Sequence, residues 1–267
     1  ATPTGGGFDV RSVVEAAIAK QAALIRAARF ASEETGVDVT AALETARLVQ
    51  GSIAAISTEV EGEASSGTGG QFDLGAAQQL LLFMFLTALT SSTALIQSRR
   101  LGVSRRMLST PTAPGTIIGG ETLGRFLVVM LQGVFIILAA GFLFNVEWGD
   151  PVAAVLVVTA FALTGTGAGM LLGSTFSNEQ QAGGLAIFGA LMLAALGGSM
   201  VPLEIFPDTM VTIAHFTPHA WGNDAFATLI RHSGGVSDIA TELVVLTAYG
   251  LALIALSSFM FRRSLTR

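Results

Sequence analysis

The sequence predicts an all-α, polytopic membrane protein, and three observations predict it. Only 12% of its 267 residues are charged and 51% are apolar, with a mean hydropathy of +0.66, whereas a water-soluble domain carries about 25% charged residues. Five stretches contain no Asp, Glu, Lys or Arg: 74–98, 126–146, 151–178, 180–203 and 243–261. Each matches the roughly 20 residues that a helix needs to cross the hydrocarbon core, and none alternates apolar and polar residues as a barrel strand does. The reading is five transmembrane helices, at about 75–97, 123–145, 151–174, 180–201 and 240–261.

Before the first span, residues 1–73 hold five basic and ten acidic side chains and no run long enough for a signal peptide or a span. The stripe Val14, Ile18, Ala22 and Ile25 predicts a helix over 10–31. A second follows Thr40 as cap, with Ala42, Ala46, Val49, Ile53 and Ile56 on one face. Residues 61–71 (EGEASSGTGGQ) read as a flexible linker. The chain thus divides into 1–73 and a membrane region, 74–267.

The first span carries Thr87, Thr90, Ser91 and Ser92, and the second carries Gln132. In a membrane such side chains bond across helices for about 0.6 kcal/mol or line a polar path, and the residues leave both open. Between these spans, segment 97–124 is too long for a turn. Residues 103–108 form a short helix with Val103, Met107 and Leu108 on one side and Arg105 and Arg106 on the other, stopped by Thr110-Pro111 and Ala113-Pro114-Gly115. On chemistry alone this is either an interfacial helix on anionic lipid or a protein-docking helix. In the third span Gly165, Gly169 and Gly173 recur every four residues as a face for close helix packing.

Between the fourth and fifth spans, 202–237 is broken by Pro202, Pro207 and Pro218 yet rich in Phe206, Met210, Ile213, Phe216, Trp221, Phe226 and Leu229. Interrupted helices dipping into the outer leaflet fit this pattern, since irregular backbone at membrane depth must be covered by protein. Trp221 and His219 are expected at the headgroup boundary. His215 and His219 are four residues apart, but Pro218 interrupts the turn and no third ligand is evident, so no metal is expected.

Orientation follows from the arginines. Arg99, Arg100, Arg105, Arg106, Arg125, Arg262, Arg263 and Arg267 share one face with Glu121 and Glu179. The other face has Glu147, Asp150, Glu204, Asp208, Asp224, Asp238 and Glu242 against Arg231 alone. This separation predicts a multi-pass protein of the cell membrane with a cytoplasmic C-terminus and residues 1–73 outside.

Several chemistries are excluded. There is no cysteine, and the single lysine, Lys20, lies in Ala-Lys-Gln, so no Gly-Lys-Ser/Thr phosphate loop is present. Ion-coupled carriers keep an ionisable group in mid-membrane, but Glu121, Arg125, Glu179, Glu204 and Glu242 all fall at span ends.

From residue 72 to 267 the chain resembles the permease subunits of ABC transporters of the ABC-2 type. Gly102 with Leu108, Thr110-Pro111 and Gly120 is similar to that family's cytoplasmic signature. Val201-Pro202-Leu203-Glu204, Pro207, Thr217-Pro218, Trp221 and Asp224-Ala225-Phe226 resemble its re-entrant segment, and Phe261-Arg262-Arg263 its ending. The family usually has an acidic residue before the short helix, where Gln97-Ser98-Arg99-Arg100 has none. It also usually has six spans, with an exported domain between the first two. On that pattern residues 1–73 are the end of such a domain, and a further span is expected upstream.

The resemblance implies a transport subunit and not an enzyme, paired with a second permease unit, identical or related. Cytoplasmic ABC ATPase subunits would bind ATP and Mg and push through Gly102, Val103, Arg105, Arg106, Met107, Leu108, Thr110 and Pro111, with Asn178 and Glu179 as a secondary contact. It further implies a path lined from the first and fourth spans, by Phe83, Phe85, Thr90, Phe188, Met192 and Leu196, to which Gln132 of the second span is added as a candidate; the apolar lining suits an apolar or amphipathic cargo. Membrane lipid is a partner and nucleic acid is not. An ATP-independent secondary carrier or channel is the alternative, and a membrane anchor or assembly factor the third.

Overall fold

The computed structural model describes residues 70–265, with the side chains of all but Gln71, Ser104, Arg105, Leu108, Ser264 and Leu265. The helices expected over 10–31 and after Thr40, and the linker up to residue 69, lie outside the described residues. Those described form α1 (Gln71–Thr90), α2 (Ser92–Arg100), α3 (Val103–Leu108), α4 (Pro114–Phe144), α5 (Pro151–Thr175) and α6 (Glu179–Leu196). A 3-10 turn, Leu203–Ile205, leads to α7 (Asp208–Ala214), α8 (Pro218–Arg231) and α9 (Ala240–Leu265). There is no strand among them. Five stretches are long and apolar enough to cross a membrane: Phe72–Arg100, Pro114–Phe144, Pro151–Thr175, Glu179–Leu196 and Ala240–Arg263. The protein is an all-helical, multi-pass membrane protein.

The first stretch is two helices and not one. Thr90 Oγ donates to the Leu86 carbonyl at 2.8 Å, Ser91 Oγ to that of Ala88 at 2.6 Å and Thr93 Oγ to that of Thr90 at 2.9 Å. Such back-bonding competes with the helical ladder and bends it, and the helix breaks at Ser91. These hydroxyls therefore bond within the first span, and none of the three reaches another span.

Pro114 acts differently from its expected role as a stop. With φ fixed and no N–H to lose, it occupies the first turn of α4, so this helix starts well before the expected 123. Asn145, at φ 53°, ends it. Asp150 caps α5 by accepting from the Ala153 N–H at 2.8 Å, again with proline in the first turn. The fourth stretch stops at Leu196, short of the expected 201, because Gly197 leaves the helix and Gly198 turns at φ 87°.

At the centre lies α5, which packs on α1, α2, α4 and α9. Its small residues explain this. A Cβ on Gly169 would run into the Ala88 carbonyl, one on Gly165 into Ala88, and one on Gly173 into Leu95 and the Ser92 carbonyl. On another face, one on Gly167 would strike Leu253 of α9. Backbones thus meet at the bend of the first span, where dispersion contacts replace the hydrophobic drive that lipid cannot provide. One interhelical hydrogen bond, from Thr164 Oγ to the Leu246 carbonyl at 2.8 Å, ties α5 to α9. Along α6, Ala182, Ala186, Ala190 and Ala194 are buried every fourth residue, facing α1 and α2.

Candidate functional site

Two loops meet at the arginine-rich end. Gly102, at φ 70° with open space around it, turns the chain from α2 into α3; only glycine takes this conformation without cost. Val103, Arg106 and Met107 are exposed on α3, and the Arg106 guanidinium donates back to the Leu101 carbonyl at 3.0 Å. At its far end Thr110 Oγ donates to the Met107 carbonyl at 2.6 Å and lies 2.9 Å from the Thr112 hydroxyl. Pro111 then leads into α4. The Arg105 and Leu108 side chains lie outside the described ones.

The second loop joins α5 to α6. Asn178 caps α6, its side-chain oxygen accepting from the Gln180 and Gln181 N–H groups at 2.9 and 3.3 Å. Arg99 reaches across from α2 and donates to the carbonyls of Gly173, Ser174 and Phe176 at 2.8, 3.3 and 3.3 Å, where the negative end of the α5 dipole favours a cation. Arg100 pairs with Glu179 at 3.1 Å. An exposed pair of this kind stabilises by only about 0–1 kcal/mol; its effect is positional. Sequence reading missed this tie. The acid absent before the short helix is supplied instead by Glu179 from the other loop.

Behind α3 a cleft of about 510 Å³ opens between the bent first span and α4, lined by Met107, Ser91, Thr112, Gly120, Glu121 and Arg125. Glu121 and Arg125 neutralise each other one turn apart on α4, while the Arg125 Nε is buried without a partner. Met107 thus touches the space between the spans as well as the outer surface.

The residues expected on a path separate into two groups. Phe83 is 47% exposed on α1, and Phe188 and Met192 are 65% and 44% exposed on α6; these are neighbouring helices. Leu196 is half-buried at the end of the same helix. Phe85, in contrast, is 2% exposed and its ring meets Phe161 at 6.0 Å and His219 at 4.7 Å. Within the protomer it is a packing residue. Thr90 is turned onto its own helix, and the Gln132 amide donates to the Phe83 carbonyl at 3.3 Å, bridging α4 to α1.

At the acidic end the segment expected to be re-entrant forms two helices, α7 and α8, started by Pro207 and Pro218, after Pro202 has capped the 3-10 turn. Trp221 donates its indole N–H to the His215 carbonyl at 2.8 Å, and His215 Nε2 lies 2.7 Å from Asp224. Glu204 pairs with Arg231. Asn223 donates to the Gly197 carbonyl at 2.7 Å and to Ser199 Oγ at 3.2 Å, locking α8 to the end of α6. His219 departs from its expected place at the headgroup boundary. It is buried between Phe85 and Phe161, because Gly197 leaves room for it against α6. The two histidines point to different neighbours, His215 to a carboxylate and His219 to aromatic rings.

This order of elements has known counterparts. Over residues 22–259 the chain matches the family described as ABC-2 family transporter protein. It is similar to the linearmycin resistance permease protein LnrN of Bacillus subtilis (strain 168), with 27% identity over 250 residues that cover 90% of this chain and 63% of that protein. The chain therefore spans less than two thirds of that relative's length. With the family match running through nearly all of its membrane region, the chain belongs to the ABC-2 family of transporter proteins.

Proposed function

We propose that the chain is the membrane permease unit of an ATP-driven exporter, its arginine-rich end in the cytoplasm, carrying an apolar or amphipathic cargo outward between two such units. The observation that carries this reading is the tie made by Arg99 and Arg100, which binds the end of α2, from which α3 leaves at Gly102, to the end of α5 and the start of α6. ATP binding and closure occur outside the membrane, so a rigid element must pass force to the spans. Force on α3 would pass through Gly102 into α2, whose end is held to the ends of α5 and α6 by those two arginines. Partner ATPase subunits would bind ATP and Mg; Val103, Met107 and Leu108 would enter an apolar groove on them, with Arg105 and Arg106 at its rim.

The exposed face of α6, with Phe188 and Met192, and Phe83 on α1 supply apolar surface to the second unit and to cargo. The resistance named for the Bacillus relative suits a cargo of the drug type. Co-reconstitution with the partner ATPase in vesicles tests the reading. Replacing Met107 and Leu108 together by alanine is expected to weaken ATPase binding about tenfold or more, as loss of apolar anchors does, and to abolish ATP-driven export. Arg105→Ala should do less. Cargo efflux that survives ATP depletion and collapses with the proton gradient would instead identify a secondary carrier.

A further inference from the structure

At the acidic end α7 is thinly supported. Asp208, Thr209, Met210, Thr212 and Ile213 are exposed, which leaves Val211 and Ala214 as the residues that face protein, and the helix packs little on any other. Its C-terminal end is fastened at His215 and Phe216. Trp221 of α8 donates to the His215 carbonyl at 2.8 Å, and the Tyr249 hydroxyl of α9 donates to the Phe216 carbonyl at 3.1 Å. The His215 ring itself stands between two oxygens, with Nδ1 2.8 Å from the Val211 carbonyl and Nε2 2.7 Å from Asp224 Oδ2.

Counting protons at this ring gives one answer. A backbone carbonyl only accepts, and so does an ionised carboxylate. Nδ1 must carry a proton for the first contact and Nε2 for the second, but a neutral imidazole has one N–H and only the imidazolium has two. Either neutral tautomer leaves a ring lone pair against an oxygen lone pair, at Asp224 or at Val211. Were the extra proton on Asp224 instead, the pair would still need it. The proton is therefore part of the fastening. Among the groups around the ring, Asp224 supplies the charge that acts on it; Glu204 of the 3-10 turn is paired with Arg231, α9 brings Tyr249, and Asp208 lies in the first turn of α7. Burial lowers the His215 pKa, and the bonds to Val211 and Asp224 with the Asp224 charge raise it by more, so the proton leaves above the ordinary histidine value of about 6.5.

We infer that His215 is a proton-operated latch between α7 and α8: with the proton in place α7 is held at Asp224, and without it α7 is released while α8 stays. The anchorage of α8 is separate. Asn223 bonds it to the Gly197 carbonyl and to Ser199, and Phe226 and Leu229 are fully buried, so α7 is the element that moves. The latch rests on the geometry of residues 208–224 and not on coupling to ATP. With the acidic end outside, the orientation on which the proposed function rests, it responds to the pH of the side that receives cargo.

The chain has no cysteine, so spin labels can be placed at Thr212→Cys on α7 and His232→Cys at the end of α8, both exposed positions. Their separation in the full chain, in nanodiscs, would be read by pulsed electron paramagnetic resonance at about pH 5 and about pH 9, either side of a histidine. A single short distance is expected in acid. At alkaline pH a longer, broader population should grow about tenfold, the weight of one charge-assisted hydrogen bond. Asp224→Asn separates the latch from a general effect of pH. Its amide can donate to a neutral Nε2 or, turned over, accept from a protonated one, so α7 should stay held at both pH values. His215→Gln should also remove the pH response, and His219→Gln should leave it. A distance indifferent to pH in the labelled chain, a response that survives in a folded Asp224→Asn or His215→Gln variant, or one that disappears with His219→Gln would each overturn the latch.

Discussion

Gly102 shows how much one residue decides at the arginine-rich end, where coupling is proposed. Its φ of 70° is set by the chain, and no neighbour crowds it, so alanine there meets a conformational cost and no collision. Gly102→Ala should lower stability by only about 1–2 kcal/mol while changing the angle at which α3 leaves α2, which predicts a protein that folds but exports poorly; comparing melting temperature with vesicle export separates the two. At the acidic end two histidines act in opposite senses. Burial draws the His215 pKa down, but its hydrogen bonds to the Val211 carbonyl and Asp224 and the charge of Asp224 outweigh that, leaving it raised. Its contribution is full below its ordinary value of about 6.5 and is lost as pH rises through the higher folded value. Burial pushes the His219 pKa down to about 3, so its contribution is full above about 6.5 and declines as pH falls toward the folded value. Thermal stability in detergent should therefore peak near pH 6.5, with His215→Gln flattening the alkaline side and His219→Gln the acid side. A peak unmoved by either substitution would contradict the assignment.

Helices and their contacts divide the glycines into those that matter for packing and those that do not. Gly169 faces the Ala88 carbonyl at the bend of the first span, whereas Gly124 on α4 faces open space. Gly169→Ala should cost several times the ~1 kcal/mol that alanine contributes in helix propensity and reduce the yield of folded protein, and Gly124→Ala should be neutral or stabilising; relative melting temperatures decide this. The glycine stripe was legible beforehand because spacing of four is a helical face whatever the solvent. The five apolar stretches were legible too, since charge is excluded from the membrane core. The bend at Ser91 was not, because a hydroxyl that bonds its own helix and one that bonds a neighbour have the same sequence. Pro114 could be read either as a stop or as a first-turn residue, and the identity of Ala113 and Gly115 did not decide between them. The alanines of α6 carried the same four-residue signal as the glycines and were the one face that could have been read and was not. Which way Phe85 points was beyond sequence pattern, because both faces of a membrane helix are apolar and no periodicity separates them.

For the whole molecule the burial pattern relocates the surface that a second unit would meet. With Phe85 enclosed by Phe161 and His219, the residues of α1 and α6 expected on the path that stay exposed are Phe83, Phe188 and Met192. Cysteines at Phe83 and Met192 should cross-link between two copies of the chain in native membranes, and one at Phe85 should not; the reverse pattern, read by electrophoresis, would place the interface elsewhere. The acidic end needs no second copy to be braced, since Asn223, Trp221 and Arg231 already tie α8 to neighbouring segments. On the proposed function force would enter at the opposite end, through α3 and the end of α2 that Arg99 and Arg100 bind to α5 and α6. A photo-crosslinking amino acid at Val103, which is exposed on α3, tests this most directly. In cells, activation should yield an adduct that mass spectrometry identifies as an ATPase bearing a phosphate-binding loop, and its yield should change when ATP is depleted. Adducts with lipid alone, in a protein that still exports cargo, would contradict the account.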